Sequence, residues 1–215
     1  MKFVDIHTHS TETSKEQLTI INKFPEEEPG EGYFSVGWHP WYIEADKEAV
    51  MLQKLETLAM HPNCLAIGEC GLDKVTDTNF ALQMSMFKKQ VAISEKLQKP
   101  IVIHCVKAYQ EIYQLKKELN PSQVWVIHGY HKNEQLASQL LSVGFQLSFG
   151  AALCENSTVQ RTFANLPEKT FFLETDDQSE VSIEKVYEEA AYRRNRSVTE
   201  LQSEIFKNFK EVFKV

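Results

Sequence analysis

Six side chains of the kinds that bind divalent cations close five short apolar runs, with two of them sharing the first: His7, His9, Glu69, His104, His128 and Asp176. The runs are Lys2-Phe-Val-Asp-Ile-His7-Thr-His9, Leu65-Ala-Ile-Gly-Glu69, Ile101-Val-Ile-His104, Val124-Trp-Val-Ile-His128 and Thr170-Phe-Phe-Leu-Glu-Thr-Asp176. Imidazole nitrogens mixed with carboxylate oxygens suit Zn²⁺, Mn²⁺, Ni²⁺ or Fe, and are less natural for Mg²⁺ alone. Cations held this way lower the pKa of bound water and polarise ester oxygens, so the expected chemistry is metal-dependent hydrolysis. The set divides into two histidines and one aspartate for one ion and two histidines for a second, with Glu69 between them. We therefore expect two divalent ions, drawn from Zn, Mn, Mg or Ni.

Each residue also has a plainer reading. An isolated His-X-His is often incidental, but on an extended backbone His7 and His9 point to one face and can share a cation. Glu69 lies in Gly68-Glu69-Cys70-Gly71-Leu72-Asp73 and would otherwise be a salt-bridged or capping residue. A carboxylate following Leu-Ala-Ile is costly to bury without a charge partner, and its two oxygens suit a bridge between two cations. His104 and His128, taken singly, read as satisfied core histidines; at equivalent ends of consecutive strands they read as ligands. Asp176 can both ligate and accept a proton from an activated water, with Asp177 a weaker rival. Asp176 and Glu69 are thus the expected catalytic groups.

Positioning so many ligands requires many strands that end on the same side. Strand-like runs occur at 2–7, 18–24, 33–38, 64–69, 101–105, 124–129, 145–150 and 170–174, most of them continuously apolar, as strands covered on both faces are. Helical spacing fills 45–60 and 80–97, with further helices expected at 108–119, 134–143 and 182–213, the last broken near Asn195 before a cap at Ser197 or Thr199. The first three strands are joined by short polar segments. The expected fold is α/β, a (β/α)8 TIM-type barrel lacking one or two outer helices near the N-terminus.

The 215 residues, 42% hydrophobic, are read as a single barrel domain over 1–215, with no low-complexity linker. Cys64, Cys70, Cys105 and Cys154 lack a CxxC spacing and are expected to be reduced. The absence of a leader-like or membrane-length apolar run leads to an expectation of a cytoplasmic protein without membrane contact. A net charge of −7 argues against a broad basic surface for duplex nucleic acid.

The chain resembles the TatD family of metal-dependent deoxyribonucleases through Asp5-Ile-His7-Thr-His9, Gly37-Trp-His39-Pro40, Ile67-Gly-Glu69-Cys-Gly-Leu-Asp73, Lys99-Pro-Ile-Val-Ile-His104, Val126-Ile-His128-Gly, Ser148-Phe-Gly150, Glu174-Thr-Asp176 and Asn208-Phe209. The resemblance implies a TIM barrel, one to three divalent metals and hydrolysis of phosphodiesters, typically 3′-to-5′ on single-stranded DNA. It carries over the six ligands above, assigns His39 to substrate or to support of a ligand, and gives Asp73 a part in orienting the loop after Glu69. The chain departs from the family pattern at Val106, where an arginine is usual, so that Lys107 is the expected phosphate contact as a simpler point charge. Asp177-Gln178 replaces the usual proline after Asp176, and Gly129-Tyr130-His131-Lys132-Asn133 is more basic than usual, with His131 a candidate substrate contact. Trp38, Trp41, Tyr42 and Tyr130 are candidates to stack on a nucleobase or to pack under loops. The expected partner is single-stranded DNA or a small phosphodiester, met by a monomer. The alternatives are an amidohydrolase-like enzyme acting on a small ester, lactone or amide, and a metal-binding module without catalysis.

Overall fold

The computed structural model describes residues 2–12, 14–178 and 180–215. Eight strands form one sheet in sequence order: β1 (Phe3–Thr8), β2 (Gln17–Lys23), β3 (Tyr33–Val36), β4 (Cys64–Asp73), β5 (Ile101–Val106), β6 (Trp125–Ile127), β7 (Phe145–Phe149) and β8 (Phe171–Leu173). The pairs β1–β2, β3–β4, β4–β5 and β7–β8 are parallel, and a further parallel bridge joins Thr8 to Asp176. This is the strand order of the (β/α)8 barrel.

The helices are α1 (Glu48–Ala59), α2 (Phe80–Leu97), α3 (Tyr109–Leu119), α4 (Glu134–Leu141), α5 (Ala152–Glu155), α6 (Ser157–Ala164), α7 (Ile183–Arg193) and α8 (Val198–Phe213). Among the described residues no helix separates β1 from β2 or β2 from β3, as the short polar connections imply. The break near Asn195 is present, with Asn195 itself left-handed, and Ser197 starts α8 in a capping box with Glu200. Asn79, Asn133, Asn156 and Ser182 cap α2, α4, α6 and α7 through their side chains. Helices α5 and α6 were not expected.

The chain divides into two compact units, 1–21 with 127–215, and 22–126. In the first unit, α7 is tied to β1 by Tyr187, whose hydroxyl donates to Val4 O and accepts from Val4 N, both at 3.1 Å. Phe149, Phe163 and Phe171 meet edge to face, and the Arg194 guanidinium lies 4.8 Å from the Phe171 ring while donating to Phe163 O and Leu166 O. Phe172 meets Phe213 of α8.

In the second unit, α1, α2 and α3 accompany β3, β4 and β5. Phe87 of α2 packs edge to face on Trp125 at 5.3 Å. Lys99 donates to the carbonyls of Ala59, His61 and Cys64, satisfying groups left open where α1 ends. Buried Gln90 accepts from Trp38 N and donates to Trp38 O, fixing the turn after β3 as a strand partner would.

Strand β4 runs four residues beyond Glu69, because Gly71 continues it. Gly71 pairs with His104 at φ +153°, where a Cβ would overlap the His104 carbonyl oxygen. None of the four cysteines forms a disulfide among the described residues; Cys64, Cys70 and Cys105 are buried, and burial pushes the Cys64 thiol up to about 11.

Candidate metal sites

In the first unit, one ligand atom each from His7, His128 and Asp176 lie within 4.8 Å of one another. Asp176 Oδ1 stands 3.4 Å from His7 Nε2 and 3.6 Å from His9 Nε2. A tetrahedral ion with arms of about 2.1 Å separates its ligands by about 3.4 Å, so these spacings and the nitrogen–oxygen donor set fit a bound cation. The His7 ring meets those of His9 and His128 at 5.2 and 4.3 Å between centroids.

The backbone latches Asp176 to β1. Its N–H donates to His7 O, and its carbonyl accepts from His9 N and Thr8 Oγ1. The residue is left-handed at φ 56°, a conformation aspartate tolerates better than most. Asp5 completes the latch: Oδ1 accepts from His7 N and Thr175 N, and Oδ2 from Thr175 Oγ1 at 2.7 Å. Burial, with the Glu174 carboxylate nearby, raises the Asp5 pKa to about 7 against the bonds from Thr175. Glu174, fully buried, accepts from Gly129 N at 2.5 Å and stands 3.4 Å from His128 Nδ1.

In the second unit the corresponding group is His39, Glu69 and His104, again with ligand atoms within 4.8 Å of one another. Glu69 Oε1 is 3.2 Å from His39 Nε2 and 2.8 Å from His104 Nδ1. His39 Nδ1 accepts from Trp41 N, which leaves Nε2 as the atom that faces Glu69. His104 has a carboxylate at each nitrogen, since Nε2 lies 3.1 Å from Asp73 Oδ2. With a cation at Nδ1, Asp73 would accept from Nε2–H and fix the ring, the carboxylate–histidine–metal pattern.

The second-unit carboxylates are held from several sides. Asn22 Oδ1 accepts from Glu69 N at 2.7 Å, and Asp73 accepts from Val75 N and from Trp41 Nε1 at 2.6 Å. Burial disfavours the Asp73 anion, but the bonds from Trp41, Val75 and His104 outweigh it and hold its carboxyl below the usual range. Gly37 lies so close to Gly68 and Glu69 that a Cβ would overlap their backbone. The Gly68–Glu69 peptide is cis.

A family model described as TatD related DNase matches residues 2–214. The chain belongs to that family. An uncharacterized metal-dependent hydrolase of Methanocaldococcus jannaschii is 27% identical over 194 residues, 85% of this chain and 76% of that protein. The 3′-5′ ssDNA/RNA exonuclease TatD of Yersinia pseudotuberculosis is 27% identical over 173 residues, 77% of this chain and 65% of that protein. The matched stretch spans 54% of an uncharacterized metal-dependent hydrolase of Buchnera aphidicola and 78% of the uncharacterized metal-dependent hydrolase YabD of Bacillus subtilis. The crystal structure of a TatD homologue from Escherichia coli superposes with TM-score 0.84 at 19% identity, covering 99% of this chain and 98% of that one. An uncharacterized amidohydrolase from Saccharomyces cerevisiae superposes with TM-score 0.77 at 13% identity, covering 99% of each chain, and shares the fold. The TatD-type sequence thus stands among metal-dependent hydrolases.

Within this TatD-family chain, the first unit brings together His7, His9, His128 and Asp176, and the second brings together Glu69, His104 and His39. Lys107 is exposed and left-handed just after β5, and His131 is exposed after β6 with its ring nitrogens turned to Gly129 O and Lys132 Nζ. The sequence reading missed Asp5 and Glu174 as partners of ligands, although each lies two residues before one, where a strand returns side chains to the same face. Of the four aromatics considered for stacking, Trp38 and Tyr130 are buried, while Trp41 and Tyr42 are each 53% exposed.

Proposed function

We propose that this chain hydrolyses phosphodiester bonds as a TatD-type enzyme, shortening single-stranded DNA from the 3′ end. What carries the reading is a mixed histidine–carboxylate group in each unit, spaced as ligands of one ion are spaced. Bound divalent cations would supply Lewis-acid polarisation of the phosphodiester oxygen and activation of water. His7, His9, His128 and Asp176 would hold one ion, and Glu69 and His104, with His39 beside them, another.

Asp176 is the group suited to accept the proton of the attacking water. Its side chain is 31% exposed and its backbone is fixed, so the carboxylate can trade a proton with solvent without losing position. Glu69 is held by Asn22 on its backbone side and serves as ligand. His104 is oriented by Asp73, and His128 has Glu174 beside it. Lys107 and His131 are proposed phosphate contacts.

One observation favours the small-molecule alternative. A cavity of about 530 Å³ in the first unit is lined by Asp5, Glu12, Asp176 and Asp177 with hydroxyl and amide side chains, and no lysine or arginine lines it among the described residues. A nucleic-acid backbone gains little from such walls.

Hydrolysis of labelled single-stranded DNA decides between these readings. Metal-stripped protein is resupplied with Mg²⁺, Mn²⁺ or Zn²⁺ beside Glu69→Ala and Asp176→Ala. Stepwise shortening that needs metal and vanishes in both variants supports the nuclease. Intact DNA with turnover of a small ester or amide supports the alternative.

A further inference from the structure

Three tryptophans occur in the chain, and they are treated differently. Trp38 and Trp125 are 1% and 0% exposed, whereas Trp41, three residues after Trp38, leaves 53% of its surface in water. An indole left half in solvent forgoes much of the burial that usually stabilises a fold. Trp41 is nevertheless not loose. It sits in the single turn Pro40–Tyr42, its Nε1 donates to Asp73 Oδ2 at 2.6 Å, its N–H donates to His39 Nδ1, and its carbonyl accepts from Thr78 Oγ1. Its ring neighbours, His39 at 4.9 Å, His104 at 5.9 Å and Tyr42 at 6.5 Å, meet it at 88°, 78° and 70°, so none of them lies flat on the indole.

We propose that Trp41 is a stacking platform that receives a nucleobase beside the His39–Glu69–His104 group. Two of the residues that pin the indole, His39 and Asp73, themselves touch Glu69 and His104. A ring stacked on Trp41 is thereby placed relative to the ligand group rather than to the surface at large. The orientation is settled before binding, so little side-chain entropy is lost on contact. Base–aromatic stacking tolerates any base, so the platform selects for a planar ring and not for a sequence. For the identity of that ring as a nucleobase we lean on the nuclease reading above.

Calorimetric titration of the full chain in Mn²⁺ with dAMP and with 2-deoxyribose 5-phosphate tests this directly. Wild type should bind dAMP more tightly, and Trp41→Ala should reduce that preference roughly 5- to 100-fold, with Trp41→Phe retaining most of it. The emission of the wild-type protein should change with dAMP and not with the sugar phosphate, because the other two indoles are buried. Equal affinity of wild type for the two compounds, or an unchanged preference in Trp41→Ala, overturns the assignment. If Trp41→Ala fails to fold, the wild-type preference and emission decide alone. A base preference without DNA cleavage keeps the platform and removes the nuclease; cleavage without a base preference does the reverse.

Discussion

The two units reach the same kind of ligand group by opposite routes. The first draws its histidines and aspartate from the ends of β1, β6 and β8 and fixes Asp176 by its backbone, leaving the carboxylate partly in water. The second draws Glu69 and Asp73 from one ten-residue strand, buries both, and holds their side chains or adjacent amides with Asn22, Trp41, Val75 and Gln83. A carboxylate with a fixed backbone and a wet head suits proton exchange; a buried one flanked by two imidazoles suits a ligand whose position must not change. Under the proposed function, the contrast suits the exposed carboxylate of Asp176 to the mobile chemistry and the buried one of Glu69 to stationary support.

Breaking the second unit should cost most. Gly71→Ala forces a Cβ into the His104 carbonyl at a backbone angle that side chains avoid, so we expect a loss of about 5 kcal/mol in urea unfolding. One bound cation should be lost in metal analysis, the first-unit ion being retained. Retention of both ions would show that the strand there is more pliable than its packing implies.

The first unit should reveal itself through pH. Burial keeps Asp5 neutral in the folded chain, with a pKa near 7 against 3.8 ordinarily. Folded protein therefore holds a proton that the unfolded chain has released above pH 4. In metal-stripped protein this stability is complete below about pH 4 and falls as pH rises towards 7, by up to about 4 kcal/mol. Asp5→Asn should flatten that slope in thermal melts between pH 4 and 8, and an unchanged slope would assign the proton elsewhere.

A smaller effect sharpens the difference in support. Asp73→Asn leaves His104 without its anionic partner and should weaken cation binding in the second unit 10- to 100-fold, about 1.4–2.7 kcal/mol, in competition with a chelator. Affinity in the first unit should stay within error. Smallest of all, Ser197→Ala removes the cap of α8, lowers stability by about 1 kcal/mol, and should alter neither ion. A change in cation binding there would mean that distant loosening reaches the ligands.

Much of this was legible because ligands that close separate apolar runs announce themselves one strand at a time. Strands β1 to β8 and six of the helices follow from periodicity and caps. Helices α5 and α6 were missed because Ala152–Glu155 and Ser157–Ala164 are short, so that even the pair Val159 and Phe163 in α6 spans a single turn. Strand β4 read as ending at Glu69, since the flanking glycines resemble a bend, whereas Gly71 lets pairing with β5 continue. The contact between Trp41 and Asp73 joins residues from different strand ends, and no local pattern could show which of Trp38 and Trp41 stays in water.

Tyr187 occupies both backbone polar groups of Val4, so a single hydroxyl guards that amide. The Val4 proton can pass to deuterated solvent only after α7 lifts away from β1. Its exchange rate is therefore a clock for that one opening, readable at a single resonance immediately before Asp5 and the latch it anchors.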